Sequence, residues 1–420
     1  MKNKYKLISI LVLIFLLMAC APVINDPKDQ DPIPKDPKNE DPVIDFFDPV
    51  ETNRPNTSFQ PAFEGQTRIS GIKTKTTYNV TVITDKLSSP WGIDTLPNGD
   101  LVITEKGGTL RIVQTDGTVS AAIRGFPPIN TGGQGGLLDV AVSPDFEVDR
   151  MLFFTLSLRS SAGSVTAVGK GRLSENQTLL TDFQIILEAT PYFNGTGHYG
   201  SRIVFDDEGY LFVSTGDRQS LQTRNNAQSL DNGHGKILRI TTDGAPAPSN
   251  PYSNQRGIRA SIYAYGLRNV QGLAIHPITG QLWASEMGPQ GGDELNLIES
   301  AKNYGWPVIS YGEEYSGLPI GEGLTQKDGM EQPVYYWDPS IAPSGMTFYS
   351  SKVIEEWENN LFIGGLRGSH IIRLMIRNNR VIGEERLLEN EGQRFRSLTM
   401  GNNGELYAIT DQGRLYRIGK

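Results

Sequence analysis

Thiol chemistry is almost absent from this sequence, since its 420 residues include a single cysteine, Cys20. One cysteine cannot form an internal disulfide or a metal site built from several thiolates. The four histidines form no His-Glu-x-x-His pair, and there is no Gly-x-Ser-x-Gly segment, which excludes the zinc-peptidase and nucleophile-elbow patterns. The glycines at 132–136 do not open a helix, so a nicotinamide cofactor is not supported. A formal net charge of -8 leaves no basic footprint for a nucleic-acid partner.

The N-terminus has the features of an export signal. Lys2, Lys4 and Lys6 precede an apolar run over residues 7–19, which is shorter than the ~20 residues that span a bilayer. The run ends in Leu-Met-Ala-Cys, which resembles the lipobox of bacterial lipoproteins, where the peptide is cut before the cysteine and the cysteine receives the lipid. We therefore expect a signal peptide over residues 1–19 and an exported protein held at the bacterial membrane by a lipid on Cys20. The alternative is a plain signal peptide with an incidental cysteine.

A tether is expected over residues 20–60. The stretch NDPKDQDPIPKDPKNEDP contains very little apolar surface to bury, so its composition cannot offset the entropy of ordering it. At ~3.1 Å per residue in a polyproline-like state, such a segment could reach roughly 100 Å. Its expected function is that of a spacer.

The rest of the chain, residues 61–420, contains a weak repeat of a short apolar strand, a polar turn and a second apolar strand. The strand after the turn begins at Leu101, Leu152, Leu211, Leu282, Leu361 and Leu406. Period-two alternation around turn residues indicates β-hairpins, and six such units predict an all-β, six-bladed β-propeller with four-stranded antiparallel blades. A strand at 78–83 is expected to complete the last blade beside residues 414–418. A tandem of two smaller β domains is the alternative.

Charged residues beside glycines mark the loops between hairpins, which in a propeller converge at one mouth of the central channel. These segments include GHYGSR at 197–202, STGDR at 214–218, YGLRN at 265–269, EMGPQGGDELN at 286–296 and GQRFRSL at 392–398. Glycine lets the backbone approach a ligand closely. One histidine, one aspartate and several arginines, without a thiol, suit proton abstraction beside a bound anion.

Longer blocks carry a family resemblance. PNGDLVITE, GQGGLLDVA, GSRIVFD, NLIESAKNYGWP and MEQPVYYWDPSIAPSGM resemble the soluble aldose sugar dehydrogenases of the glucose/sorbosone dehydrogenase family, which use pyrroloquinoline quinone (PQQ). The resemblance runs from about Tyr78 to the C-terminus. It implies oxidation of an aldose at its anomeric carbon to a lactone, with electrons passed on to an external acceptor.

The resemblance also implies roles for single residues. His198 matches the general base that takes the proton of the anomeric hydroxyl as hydride passes to the quinone. Asp217 matches the carboxylate that orients this histidine. Arg268 matches the arginine that polarises the quinone oxygen.

The cofactor-binding positions that the resemblance implies are Gln134, Asn269, Arg367, Arg394 and Arg396. Arg394 and Arg396 match a pair that binds the cofactor's carboxylates, for which guanidinium groups are well suited. Two residues two apart on a strand face the same side, so both are expected to point at one ligand. Arg367 stands where the family more often has lysine.

Calcium is the implied metal, held by the main-chain carbonyls of Gly288 and Pro289. The preceding residue, Met287, departs from the family, which usually has a polar residue there. Methionine cannot donate a hydrogen bond to a sugar or a quinone. This departure bears on substrate preference and on activity.

Two other functions remain open from the sequence. The first is a catalytically inactive propeller lipoprotein that binds glycans or a partner at the cell surface, which Met287 favours. The second is a calcium-dependent hydrolase such as a lactonase, which would need side-chain carboxylates converging on the metal. The combination of His198, Asp217 and the arginine pair favours the dehydrogenase.

Overall fold

The computed structural model describes residues 44–420, which are built almost entirely from strands. Six antiparallel sheets follow one another along these residues, so the predicted all-β six-bladed propeller is confirmed. Helical structure in them is limited to a single-turn helix, α1 (Phe146–Asp149), and short 3₁₀ segments at Arg224–Gln228, Gly257–Ser261, Glu355–Trp357 and Glu389–Glu391. No helix in this part of the chain is long and apolar enough to cross a membrane.

The strands are grouped into blades in chain order, apart from the first. Strand β1 (Asn79–Thr84) precedes blade 1, which contains β2 (Pro90–Thr95), β3 (Leu101–Glu105) and β4 (Thr109–Val113). Blade 2 contains β5 (Leu137–Val142), β6 (Met151–Ser160), β7 (Gly163–Leu173) and β8 (Leu180–Glu188). Blade 3 contains β9 (Ile203–Phe205), β10 (Leu211–Ser214), β11 (Lys236–Ile240) and β12 (Ile262–Tyr265).

The second half of the ring follows the same pattern. Blade 4 contains β13 (Val270–Ile275), β14 (Leu282–Glu286), β15 (Asp293–Ile298) and β16 (Tyr335–Trp337). Blade 5 contains β17 (Pro343–Phe348), β18 (Leu361–Gly365), β19 (Ile371–Arg377) and β20 (Arg380–Leu387). Blade 6 contains β21 (Phe395–Met400), β22 (Leu406–Thr410) and β23 (Leu415–Gly419), and β1 completes it.

Blade 6 closes the ring as the sequence predicts. Strand β1 pairs antiparallel with β23, with Val80 opposite Ile418, so the two ends of the propeller share one sheet. This closure pairs strand edges that an open sheet would expose. Five of the six strands that follow a turn begin at the predicted leucine, and in blade 2 the strand begins one residue earlier, at Met151. In blade 1 the place of a fourth strand is taken by an isolated bridge between Leu110 and Ile123.

The core consists of six main hydrophobic clusters, one between each pair of neighbouring blades. Phe154 packs with Leu110 between blades 1 and 2, and Ile409 packs with Ile93 between blades 6 and 1. The remaining four interfaces have clusters of the same kind. The second strands of blades 1, 4, 5 and 6 (β3, β14, β18 and β22) are buried throughout because these blades are covered on both faces, whereas β6 of blade 2 is exposed at its C-terminal end. The packed ring holds the inner strands in fixed positions around the channel.

The inner strands are irregular at the end of the channel where the loops converge. The register shifts in β2, β5, β13, β17 and β21, and each shift places extra residues opposite the partner strand. The residues within these bulges are Trp91, Gly92, Leu138, Asp139, Gln271, Ser344, Gly345 and Arg396. A bulge redirects side chains and often lies beside a functional site.

The expected tether over residues 20–60 is wrong at its C-terminal end. Residues 45–72, here called the strap, pack on the propeller: Gly71 forms a bridge with Glu384 of β20, and Glu51 forms an ion pair with Arg386 at 2.8 Å. The compact unit begins at Asp45 and not at residue 61. Composition did not indicate this, because the partners of the strap are far away in the sequence. The predicted signal peptide, Cys20 and the tether up to residue 43 lie outside the described residues.

Candidate active site

A cavity of about 320 Å³ lies at the bulged end of the channel. Four of the bulge residues line it, namely Trp91, Leu138, Gln271 and Arg396. Its charged lining residues are Lys106, Arg394, Arg396 and Asp411. Cations outnumber the carboxylate, so the cavity suits an anionic ligand with a flat or apolar body.

His198 and Asp217 form a buried pair next to this cavity. His198 Nδ1 lies 2.7 Å from Asp217 Oδ1, and the other carboxylate oxygen accepts a hydrogen bond from Trp306 Nε1 at 2.8 Å. An ionised carboxylate can only accept, so Nδ1 carries the proton and Nε2 is left as an acceptor. This is the arrangement of a general base with its orienting group.

The protonation states of this pair suit a base. Burial, followed by the charge of Arg268, lowers the pKa of His198 to about 4 despite the opposing effect of Asp217. Burial raises the pKa of Asp217, but the hydrogen bond and charge of His198 and the charge of Arg268 outweigh it, so this pKa lies below its ordinary value. At neutral pH the imidazole is therefore neutral and the carboxylate is ionised.

The backbone around His198 is held in an uncommon conformation. His198 has a φ of 43°, in the left-handed region that few non-glycine residues adopt. Its N–H donates to Gln134 Oε1 at 2.8 Å, which fixes the loop against the cavity wall. Such local strain persists when the surroundings determine it and is frequent at functional sites.

Arg268 lies beside Asp217 because the two loops that carry them are paired. Asp217 N donates to Arg268 O at 2.8 Å, and Gly216 bridges Asn269. The Arg268 guanidinium lies over the Trp306 ring, 5.2 Å from its centre, and Nη1 donates to the carbonyls of Met287 and Gly288. Its Nε is buried and has no hydrogen-bond partner within residues 44–420.

Arg394 and Arg396 converge on Asp411, although not for the predicted reason. Strand β21 begins at Phe395 and Arg396 lies in its bulge, so the period-two argument does not apply. Arg394 Nε and Arg396 Nε lie 2.9 and 2.8 Å from the two oxygens of Asp411. Burial raises the pKa of Asp411, but the charges and hydrogen bonds of the two arginines outweigh it and lower this pKa overall.

The other predicted cofactor residues differ in their placement. Gln134 lines the cavity. Asn269 is buried behind it, where its Oδ1 accepts from Gly200 N and its Nδ2 lies 3.9 Å from the sulfur of Met287. The Arg367 side chain is exposed, and its neighbour Leu366 contributes to the cavity wall instead. The structure therefore does not place Arg367 with the other predicted residues.

A second, small cavity adjoins the first and contains the predicted calcium loop. Gly288 and Pro289 line it together with Arg268, and Met287 lines both cavities. Gly288 O accepts from Arg268 Nη1 at 2.7 Å, and Pro289 O accepts from Ser340 Oγ at 3.3 Å. Within residues 44–420 no group of three His, Cys, Asp or Glu side chains could hold a metal ion, so main-chain carbonyls are the candidate ligands there.

Arg202 was not predicted, and it packs against Trp91, Gln271 and Arg396, which line the main cavity. Its guanidinium bonds Asp139 Oδ1 at 2.9 Å, Ser397 Oγ at 3.0 Å and the carbonyl of Arg396 at 2.9 Å, and it lies 4.0 Å from the centre of the Trp91 ring. Further bonds reach Gln271 O and Ser344 Oγ. One side chain thus contacts the inner strands of all five other blades.

Sequence reasoning also missed Lys106, Asp411 and Trp306. Lys106 and Asp411 each follow a strand directly, at the end of β3 and of β22. The sequence could have indicated these two residues, because each is a charged residue directly after the second strand of its blade. Equivalent strand ends lie at the same end of a propeller, so their side chains are brought near one another. Trp306 gave no signal, since its contact with Asp217 spans 89 residues.

Fold and site together define a propeller with a buried histidine–aspartate base next to a cationic cavity, suited to proton abstraction beside an anion. A family model described as Glucose / Sorbosone dehydrogenase matches residues 87–417. The aldose sugar dehydrogenase YliI of Escherichia coli is 41% identical over 347 residues, covering 81% of this chain and 93% of that protein. The chain belongs to the glucose/sorbosone dehydrogenase family.

Solved structures agree with this assignment. The apo form of the soluble aldose sugar dehydrogenase from Escherichia coli matches with a TM-score of 0.78 and 41% identity, over 82% of this chain and 99% of that one. The PQQ-bound aldose sugar dehydrogenase from Streptomyces coelicolor matches with a TM-score of 0.68 and 28% identity, over 83% and 99%. The predicted family resemblance is therefore confirmed.

Proposed function

We propose that this protein oxidises aldose sugars at the anomeric carbon to lactones, with PQQ as the hydride acceptor and calcium as its metal. The single observation that carries this proposal is the buried His198–Asp217 pair beside a cavity lined by Arg394 and Arg396. The PQQ-bound Streptomyces coelicolor relative supports the cofactor, and the aldose sugar dehydrogenases among the relatives support the substrate class.

The cavity fits an aromatic cofactor that carries carboxylates. A guanidinium has five N–H donors, so the bonds from Arg394 and Arg396 to Asp411 leave donors for a ligand. Trp91, Leu138, Leu366 and Met287 contribute to the apolar part of the lining. The unpaired, buried Nε of Arg268 is a further donor for which an acceptor oxygen would be a partner.

The donor set also fits calcium, which prefers oxygen ligands. Gly288 O and Pro289 O would hold it, together with oxygens of the cofactor. Gly288 O already accepts from Arg268, but a carbonyl oxygen has two lone pairs and can serve both. The hydrolase alternative needs several side-chain carboxylates converging on the metal. Glu286 and Glu294 line the small cavity, but within residues 44–420 no group of three His, Cys, Asp or Glu side chains could hold a metal ion.

When bound, the quinone supplies a two-electron acceptor and calcium supplies a Lewis acid. The sugar loses a hydride from C1 and a proton from the anomeric hydroxyl. His198 Nε2 takes that proton, because Nδ1 is occupied by Asp217 and the ring is neutral at working pH. Asp217 then stabilises the imidazolium, while Trp306 keeps the carboxylate in place.

Arg268 supplies positive charge where electron density would develop. Its guanidinium is fixed by Met287 O, Gly288 O and the face of Trp306, so little reorganisation is needed when charge moves. The reaction would also require an external electron acceptor. We further propose that the enzyme is exported and held at the bacterial membrane through a lipid on Cys20.

The test of this proposal is a titration of purified protein with PQQ and calcium, followed by absorbance. We expect binding that saturates at one cofactor per chain, is lost on addition of a chelator and returns with calcium. Quinone binding that ignores the chelator would contradict the calcium site. A protein that binds no quinone under any condition would contradict the proposal as a whole.

A catalytically inactive glycan-binding lipoprotein remains the second candidate, and Met287 is the observation that favours it. This side chain lines both cavities without offering a hydrogen-bond donor. Sugar binding that neither requires quinone nor reduces it would favour this second function.

A further inference from the structure

The strap contacts the propeller behind the loop that carries Gly288 and Pro289. It precedes the region matched by the family model, which begins at residue 87. Asn56 N and Thr57 N donate to the two carboxylate oxygens of Asp338 at 2.8 and 2.9 Å, and the Thr57 hydroxyl donates to Asp338 Oδ2 at 2.9 Å. Arg68 donates to the main-chain carbonyl of the same residue. Asp338 is buried, so the strap supplies hydrogen bonds that its carboxylate needs.

Asp338 lies directly against residues 287–293, here called the carbonyl loop. Gly291 has a φ of 80°, and a Cβ placed on it would lie 2.8 Å from Asp338 Oδ1, so only glycine fits there. Two residues after Asp338, Ser340 Oγ accepts from Gly291 N at 2.9 Å and donates to Pro289 O at 3.3 Å. The segment that the strap holds therefore touches a proposed calcium ligand.

The same segment is tied to the carbonyl loop from its other end. Asp293 Oδ2 accepts from the N–H groups of Ile341 and Ala342 at 2.7 and 2.8 Å, and Asp293 Oδ1 accepts from Gly288 N at 2.8 Å. Pro289 is thus bonded directly to the segment 338–342 through Ser340, and Gly288 is linked to it through Asp293. A displacement of that segment would move both carbonyls.

Thr57 also contacts Tyr311, which precedes a residue packed on the carbonyl loop. Its hydroxyl lies 3.3 Å from Tyr311 O, and the next residue, Gly312, packs so closely on Gly292 that a Cβ there would lie 2.4 Å from Gly312 N. Thr57 therefore contacts both segments that pack on the carbonyl loop, namely residues 311–312 and residues 338–342.

We propose that the strap braces the carbonyl loop, with Thr57 and Asp338 as positioning residues that set the spacing of the Gly288 and Pro289 carbonyls. The contacts from these residues to the loop are observed in the structure. That the loop binds calcium and PQQ rests on the function proposed above. The strap is then part of the cofactor site although it lies outside the propeller strands.

The test compares Thr57→Val, Thr57→Ser and Glu51→Gln with the wild type. Valine keeps the shape of threonine and removes the hydroxyl, whereas serine restores it. Glu51→Gln weakens a different strap contact, the ion pair with Arg386, and controls for general loosening of the strap. Asp338→Asn removes the carboxylate itself and provides a second variant at the other side of the contact.

The first readout is hydrogen exchange of the peptide spanning 286–293 in protein without cofactor. A net hydrogen bond is worth about a two- to tenfold change in an equilibrium constant, so we expect exchange there to be faster by that factor in Thr57→Val and Asp338→Asn. Thr57→Ser and Glu51→Gln should exchange like the wild type. Unchanged exchange in Thr57→Val, or an equal increase in Glu51→Gln, would overturn the brace.

The second readout is the rate at which a chelator strips bound PQQ from the protein loaded with calcium. The same two variants should lose it about two- to tenfold faster than the wild type, with Glu51→Gln unaffected. If the wild type binds no quinone, the proposed function fails and hydrogen exchange alone decides the brace. If the wild type binds quinone and Thr57→Val releases it at the same rate, the brace is wrong and the proposed function stands.

Discussion

His198 is held in a buried, neutral state by its surroundings. The protein removes the ring from water, places Arg268 nearby and still gives Nδ1 a carboxylate partner. The first two effects lower the pKa of the ring and the third opposes them. A base of this kind stays unprotonated well below neutral pH, although its low pKa also limits its strength as a base.

The pH profile of sugar oxidation tests this assignment. His198 must be neutral to accept a proton, so kcat/KM should fall as the pH drops through a pKa of about 4. Between pH 5 and pH 8 we expect the protonation of His198 to cause no change in kcat/KM. A limb near the ordinary histidine value of about 6.5 would contradict the buried, neutral state.

At the scale of single residues, the sequence identified the central residues of the site but not the residues that they contact. His198, Asp217 and Arg268 meet as the family resemblance implied. Trp306 and Asp411 were not predicted, because each acts through a contact with a residue far away in the chain. Arg367 was expected with the others from the family resemblance, but it does not line the cavity, and Leu366 does so instead.

The inner strands illustrate what the pattern of hydrophobic residues cannot predict. The alternation of apolar and polar residues located the hairpins, and it placed the start of the strand after each turn to within one residue. It gave no sign of the bulges, because a bulge adds a residue without altering composition. Arg396 and Gln271 both line the cavity from positions within bulges.

The arginine pair beside β21 provides a test at the level of this element. Arg394→Ala removes a charge-assisted partner of a cofactor carboxylate, worth about 1.5–3 kcal/mol, so PQQ affinity should fall roughly ten- to a hundredfold. Calorimetric titration with calcium present would measure it. Arg172→Ala, on an exposed position of β7, should leave affinity unchanged. Normal quinone binding by Arg394→Ala would remove this residue from the site.

The ring as a whole depends on contacts between blades that are not neighbours, and Arg202 makes many of them. Arg202→Met keeps much of the side-chain length and leaves Asp139 buried without its charged partner. We expect the free energy of unfolding in urea to fall by about 3–5 kcal/mol. Adding Asp139→Asn should recover part of this loss. An Arg202→Met variant as stable as the wild type would show that the contacts of Arg202 do not hold the blades together.

Membrane attachment also concerns the whole molecule. Cys20→Ser should release the protein from the membrane fraction or block its processing, because the lipid acceptor is removed. Cell fractionation with an antibody to the propeller would report both. A serine variant that is processed normally and remains at the membrane would contradict the lipoprotein interpretation.

The central claim is that His198 abstracts a proton while an aldose reduces bound PQQ. The most direct measurement is a single-turnover experiment in which glucose is mixed with protein loaded with PQQ and calcium, and the quinone absorbance is followed. The wild type should reduce the cofactor, and His198→Gln should bind it equally well but reduce it about 10²–10⁴-fold more slowly. His276→Gln, a histidine in a turn of blade 4, serves as the matched control. Reduction by His198→Gln at the wild-type rate would contradict the account.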